Sequence, residues 1–288
     1  MGYVDEAFEK LRKNLEITQT ERDFASRKHN EIRDHVGADW DLEDDFLTGS
    51  YRRETKTKRL KDVDIFVVID SDGDQGNLRN EGPSQILDSL KALLEKRYQD
   101  VEEDGFACTV GFGPEEEVAS FDVVPAYKRS AGGYEIPDVR RARWITTNPK
   151  VHAEMTTEKN EACDRRFVPF VKMVKAINRE FDEAIKPPFL LEVMAYKLVD
   201  NRFGRYQDEI RWFLASAADQ VAENWPDPAG LGPAVNDTWN TGDREAAKAK
   251  LAEWLVIAER AIWLEDEGKE RDAVEEWRRL FGSRMPRP

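Results

Sequence analysis

Residues 61–70, KDVDIFVVID, constrain the fold of this 288-residue chain more than any other segment. The β-branched and aromatic run reads as a strand, and successive strand side chains alternate between faces. Asp62 and Asp64 therefore project to one side, while Val63, Ile65 and Val67 go to the other. Two carboxylates held together in partly desolvated surroundings repel, and one is pushed towards protonation unless a cation lies between them. Hard oxygen donors with no neighbouring His or Cys favour Mg2+ or Mn2+ over zinc.

A second strand-like segment, EVASFDVVPAY at 117–127, offers Asp122 between Phe121 and Val123 as a third carboxylate. Three carboxylates at strand ends predict a catalytic site for two divalent ions, suited to in-line attack of a hydroxyl on phosphorus. The Gly-Ser turn thirteen residues before Asp62 belongs to the same machinery. Gly49 lets the backbone approach a phosphate closely, Ser50 adds a hydroxyl, and a helix beginning there would present its N-terminal N–H groups to the anion. Between turn and strand, six Lys or Arg residues fall in the ten positions from Arg52 to Lys61. The chain as a whole carries a net charge of −14, which repels a polyanion. A local basic cluster in so acidic a protein points to a small anion such as a triphosphate, and DNA or long RNA is not expected as a partner.

The chain changes texture along its length. Residues 5–17 and 20–36 have apolar side chains at helical spacing. Strand-like segments at 63–69, 106–112 and 117–127 then surround a helical stretch at 85–99. From about residue 150 the pattern stays helical, over 161–182, 189–201, 205–224 and 243–280. The expected class is α+β, a mixed sheet with helices followed by an all-helical lobe, with domains at 1–155 and 156–288. Six of the eight tryptophans lie beyond residue 210 and are expected to pack in the helical core. The N-terminal helix lacks the apolar segment of a signal peptide, and no membrane-spanning run occurs, so a cytoplasmic protein without a membrane partner is expected. Cys108 and Cys163 sit in unrelated contexts, which disfavours a disulfide framework.

GSYRRETKTKRLKDVDIFVVI resembles the signature of the DNA polymerase β-like nucleotidyltransferases: Gly-Ser, a spacer, then Asp-x-Asp in a strand. More narrowly, FDVVPA, YEIPD, WITTNPKVH, FVKMVKAIN, PPFLLEVMAYKL and WPDPAGLGPAVND follow one another as in the cGAS/DncV-like nucleotidyltransferases, over most of 46–262. The resemblance implies a polymerase β-like core and a helical lobe with the active site in the cleft between them. It implies synthesis of cyclic di- or trinucleotide second messengers from NTPs in bacterial anti-phage defence, with a product-activated effector protein as partner. ATP is the first candidate substrate, and GTP, UTP and CTP are the others.

Carried over by residue, the resemblance makes Asp62, Asp64 and Asp122 the metal ligands and catalytic carboxylates, with Gly49 and Ser50 holding the donor triphosphate. It points to Lys175 as a phosphate contact from the helical half, with Lys172 as the alternative because Ile177 stands where the family carries an aromatic residue. Asn160 takes a place where relatives position a base-reading side chain, although an Asn near a helix start also fits a cap. The zinc insertion and basic face of the animal DNA sensor are absent: three histidines and two scattered cysteines do not supply that motif. Two other functions remain open on the sequence. One is transfer of a nucleotide to an RNA end, a protein or a small molecule, and the other is a catalytically silent nucleotide-binding module.

Overall fold

The architecture comes from a computed structural model that describes residues 2–288. The chain divides into two compact units, one formed by residues 17–153 with 229–232 and the other by residues 2–16, 154–228 and 233–288. The division falls inside one helix, close to the expected step at residue 155. Residues 2–16, which the sequence reading grouped with the sheet, cluster with the helical unit instead.

The first unit is built on a seven-stranded sheet. After helix α1 (Tyr3–Asn14), which belongs to the other unit, come α2 (Gln19–Gly37), β1 (Leu42–Leu47), the single turn α3 (Gly49–Arg52) and β2 (Leu60–Ile69). They are followed by α4 (Leu78–Glu81), α5 (Pro83–Leu94), β3 (Val101–Glu103), β4 (Cys108–Gly111), β5 (Val118–Lys128), β6 (Tyr134–Asp138) and β7 (Arg143–Thr147). The strand order is β1-β2-β5-β4-β3, with β6 joining the far end of β5 and β7 pairing with β6. β2 and β5 run parallel, and the other pairs are antiparallel.

Alternation on the two central strands produces two unlike faces. Val63, Ile65, Val67, Phe121, Val123 and Tyr127 join the buried cluster with Ile32 and Val36 of α2 and Leu87 and Leu90 of α5. The opposite face is divided lengthwise. Phe66, Val68, Val124 and Ala126 form a smaller apolar cluster with Tyr134 and Ile136, whereas the beginnings of the same strands carry Asp62, Asp64 and Asp122. The acidic end of this face is thus continuous with an apolar floor.

The start of β2 is pinned by α2. Thr18 caps that helix, accepting from the Glu21 N–H at 3.1 Å, while Glu21 Oε2 accepts from the Thr18 N–H at 2.6 Å. This capping box satisfies N–H groups that the first turn leaves without helical partners. The other oxygen of Glu21, a residue 2% exposed, accepts the Leu60 N–H at 2.9 Å. The first residue of the aspartate-bearing strand is therefore tied to a helix N-terminus.

The second unit contains α1, most of α6 (Pro149–Ala162), α7 (Phe167–Glu180), α8 (Phe189–Leu198), α9 (Tyr206–Gln220), α10 (Thr241–Asp266) and α11 (Glu270–Phe281). Phe8 explains the placement of α1: its ring meets Trp277 edge-on at 5.1 Å and Phe281 at 6.0 Å. The helical pattern read over 243–280 is two helices, parted at Gly268 with φ of +74°. Trp225, Trp254 and Trp277 are buried as expected, and Trp239 packs partly buried against them. Trp212 and Trp263, 60% and 44% exposed, correct the expectation that all six tryptophans pack inside. Arg211 lies over Trp212, and Arg260 and Lys269 lie over Trp263, so cations cover ring faces that the core does not. Both cysteines are buried and free, and no described helix is long and apolar enough to cross a membrane.

Candidate active site

The parallel register of β2 and β5 brings the three aspartates to one place. Asp64 lies opposite Asp122 on the shared ladder, and Asp62 lies opposite Ser120, one step earlier on the same face. The strand alternation expected from sequence is what aligns them. Each carboxylate has a different environment. Asp122 accepts a hydrogen bond from the Thr109 hydroxyl on β4 at 2.6 Å, and Thr109 is its cross-strand partner. Asp62 receives the Lys56 ammonium at 2.6 Å, in a pair whose lysine side chain is 15% and aspartate 41% exposed. Asp64 stands against the Gly-Ser turn.

That turn is fitted to Asp64 at the atomic level. Gly49 has φ of +60°, and a Cβ placed there would overlap the Asp64 carboxylate. Only glycine combines the left-handed backbone with the missing side chain. The Thr48 N–H donates to the Asp64 carbonyl at 2.9 Å, which fixes the turn to β2 through the backbone. Ser50 follows in α3, the helix expected to begin at the turn, which is four residues long. With a single turn, any anion held here depends on local N–H groups and neighbouring cations rather than on a long helix dipole.

Burial pushes the Asp122 carboxyl up to about 6, opposed by the Thr109 hydrogen bond, reinforced by the charges of Asp64 and Asp62, and eased by Lys56. Burial and the neighbouring Asp64 and Asp62 charges thus disfavour the ionised form of Asp122, which is the condition that a divalent cation relieves. The donor chemistry fits a hard ion, being all carboxylate. Among the described residues, however, no three acidic, His or Cys side chains are already converged to hold one. Asp62 is turned to Lys56, and Asp122 is held by Thr109.

The other sequence candidates lie in the helical unit. Lys175 on α7 pairs with Glu192 on α8 at 2.8 Å, both side chains being largely buried. Lys172, 2% exposed, pairs with Glu16 at 2.6 Å. Asn160 sits in α6, and its Oδ1 accepts the Val168 N–H at 2.9 Å in the first turn of α7. That bond gives it a capping role towards the helix that follows its own. Sequence reasoning missed three residues that shape the site: Lys56, Thr109 and Glu21. Lys56 was visible only as one member of the basic cluster. Thr109 could have been found from the expected strand at 106–112, had its pairing with β5 been known.

The mixed sheet with a parallel central pair, the Gly-Ser turn and the aspartates on neighbouring rungs define a nucleotidyltransferase of the polymerase β-like class. Residues 1–160 match the Second Messenger Oligonucleotide or Dinucleotide Synthetase domain, and the chain belongs to that family. It is 27% identical, over 99% of its length and 86% of the relative's, to a cyclic AMP-AMP-AMP synthase of Acinetobacter sp.. Among solved structures it resembles E. coli MS115-1 CdnC with ATP, at 18% identity, TM-score 0.74 and 98% coverage of both chains. It likewise resembles the Bradyrhizobium diazoefficiens CD-NTase CdnG in complex with GTP, at 17% identity, TM-score 0.75, and 99% and 96% coverage. At such identities the structural likeness speaks for the fold, and family membership speaks for the activity. The chain is a cyclic oligonucleotide synthase, in preference to an acceptor-modifying transferase or a silent module.

Proposed function

We propose that Asp62, Asp64 and Asp122 hold two divalent ions, Mg2+ or Mn2+, and that this chain joins NTPs into a cyclic di- or trinucleotide at them. The observation that carries the reading is the Asp64–Asp122 rung with Asp62 beside it and Gly49 pressed against Asp64. When bound, the ions would supply activation of the attacking hydroxyl and neutralisation of charge on the transferred phosphoryl group. Asp122 is the carboxylate with its pKa raised towards neutrality, so it is the natural ligand on the side of the attacking hydroxyl, where a proton must be lost. Gly49 and Ser50 are the proposed seat of the donor triphosphate, with Gly49 also giving room to the Asp64 carboxylate beside them.

ATP is the proposed first substrate, supported by the all-adenine product named for the Acinetobacter relative. GTP, UTP and CTP are the remaining candidates. Lys175 is the proposed phosphate contact from the helical unit, and reaching a phosphate requires exchange of its Glu192 partner. Asn160 remains the candidate for base reading. The cellular role proposed is anti-phage signalling in the bacterial cytoplasm, through an effector protein that the product activates. The net charge of −14 supports regulation that does not involve DNA.

Purified chain incubated with Mg2+ or Mn2+ and single or paired NTPs should release pyrophosphate and yield phosphatase-resistant products, identified by mass spectrometry. Exclusively linear products, or products formed only on an added RNA, would overturn the cyclase reading. Asn160→Ser should change base preference, and an unchanged product spectrum would leave that residue as a cap alone.

A further inference from the structure

We propose that Lys56 is a resident counter-cation of the metal site, one that a divalent ion must displace from Asp62 before the site can assemble. The inference rests on the reading of Asp62 as a metal ligand.

The segment between α3 and β2 is shaped to deliver this ammonium. The Ser50 carbonyl accepts the N–H groups of both Thr55 and Lys56, at 3.0 and 3.1 Å, which folds the chain back over its own turn. Thr55 and Thr57 are buried on either side, at 0% and 7% exposure. Lys56 between them reaches the Asp62 carboxylate at 2.6 Å. The ammonium therefore stands where three carboxylates converge in charge but not in coordination, and its field also reaches Asp122. No acidic trio among the described residues is converged for a metal, and the Lys56 pair accounts for one missing member, because an oxygen engaged by an ammonium is withheld from an ion.

The chemical consequence is competition. An ammonium is a compact point charge on a flexible stem, able to neutralise Asp62 without fixing the geometry that a divalent ion demands. Free metal ions must break this pair and are disfavoured. A metal ion that arrives with a triphosphate brings its own anionic partner and is favoured relative to the free ion. Lys56 is thus a positioning residue that biases the site towards metal–nucleotide over bare metal.

The test is Mn2+ binding to nucleotide-free protein, followed by calorimetry and by electron paramagnetic resonance of the free ion. Lys56→Met keeps the aliphatic stem and should tighten Mn2+ binding roughly two- to fivefold, the range that breaking a half-buried ion pair supports. Lys56→Arg keeps the charge and should restore weak binding. Lys58→Met removes the same charge from an exposed position and should change affinity less; equal tightening by both Met variants would reduce the effect to net charge and overturn the proposal. Unchanged or weaker binding in Lys56→Met would also overturn it. In an Asp62→Asn background the Lys56→Met effect should vanish, and a persistent effect would show that the pair is not its source. If Asp62→Asn alone leaves Mn2+ affinity intact, the metal-site reading has failed instead. Circular dichroism of each variant separates misfolding from these outcomes.

Discussion

Gly49 and Asp64 occupy adjoining space so closely that the position admits no side chain. Gly49→Ala would combine a left-handed backbone, costing roughly 1–2 kcal/mol for a residue with a Cβ, with a clash that displaces the Asp64 carboxylate. Synthesis should fall by at least about a hundredfold, as small displacements of catalytic groups do, and a steady-state assay checks this. Asp62→Asn together with Asp64→Asn should abolish synthesis while the thermal midpoint of metal-free protein holds, since relief of repulsion around Asp122 offsets loss of the Lys56–Asp62 pair. Asp122 carries a sharper expectation because its pKa lies near 6 in the fold, against 3.8 for the free side chain. A carboxyl with a raised folded pKa binds its proton more tightly when folded. Its contribution to stability is therefore fully present below about pH 4 and is lost as pH rises through 6. Asp122→Asn should leave the midpoint nearly unchanged at pH 4 and raise it above pH 6. The gain should be on the order of 3 kcal/mol, at about 1.4 kcal/mol per unit. A fall above pH 6 would mean that the ionised form is structurally required.

The site is assembled from elements that reach it by different routes. β2 and β5 bring the acids, β4 contributes Thr109, and α2 holds the start of β2 through Glu21. Thr109→Val removes the hydrogen bond that restrains the Asp122 pKa, so that pKa should climb further. Because a metal ion competes with the proton, the pH midpoint of Mn2+ binding should move upward in this variant. An unmoved midpoint would show that Asp122 does not ligate the ion. Of the elements themselves, β2, β5 and most helices were legible from periodicity, since each repeats an apolar residue at its own period over several turns or pleats. β1, β6 and β7 were not. LEDDFL, YEIPD and RWITT are short, and their membership of the sheet depends on pairing with residues distant in the chain. The α10 and α9 tryptophans were misassigned for a related reason: Trp212 and Trp263 share the composition of their buried neighbours, and only the packing leaves them outside.

At the scale of the whole molecule, α1 is the clearest long-range dependence. Phe8 is 1% exposed between Trp277 and Phe281, and Arg205 bridges Asp5 and Glu265. Phe8→Ala should therefore destabilise the helical unit by about 3–5 kcal/mol. Hydrogen exchange should show that loss in α1 and α11 first, whereas equal loss in β2 and β5 would contradict the division into units. The chain's local chemistry by itself determined that a strand presents Asp62 and Asp64 to one side, that Asp122 sits on a second strand, that a Gly-Ser turn precedes them and that the C-terminal half is helical. These are properties of alternation and periodicity, which act between residues close in sequence. The tertiary structure alone decided that β2 and β5 lie parallel in the register that opposes Asp64 to Asp122, and that Lys56 of the basic cluster meets Asp62. It also decided that α1 joins the helices it is farthest from in sequence. Register and pairing are fixed by contacts between distant segments, and the free energy that selects them comes from burying one face of the sheet against α2 and α5 and part of the other in its own apolar cluster.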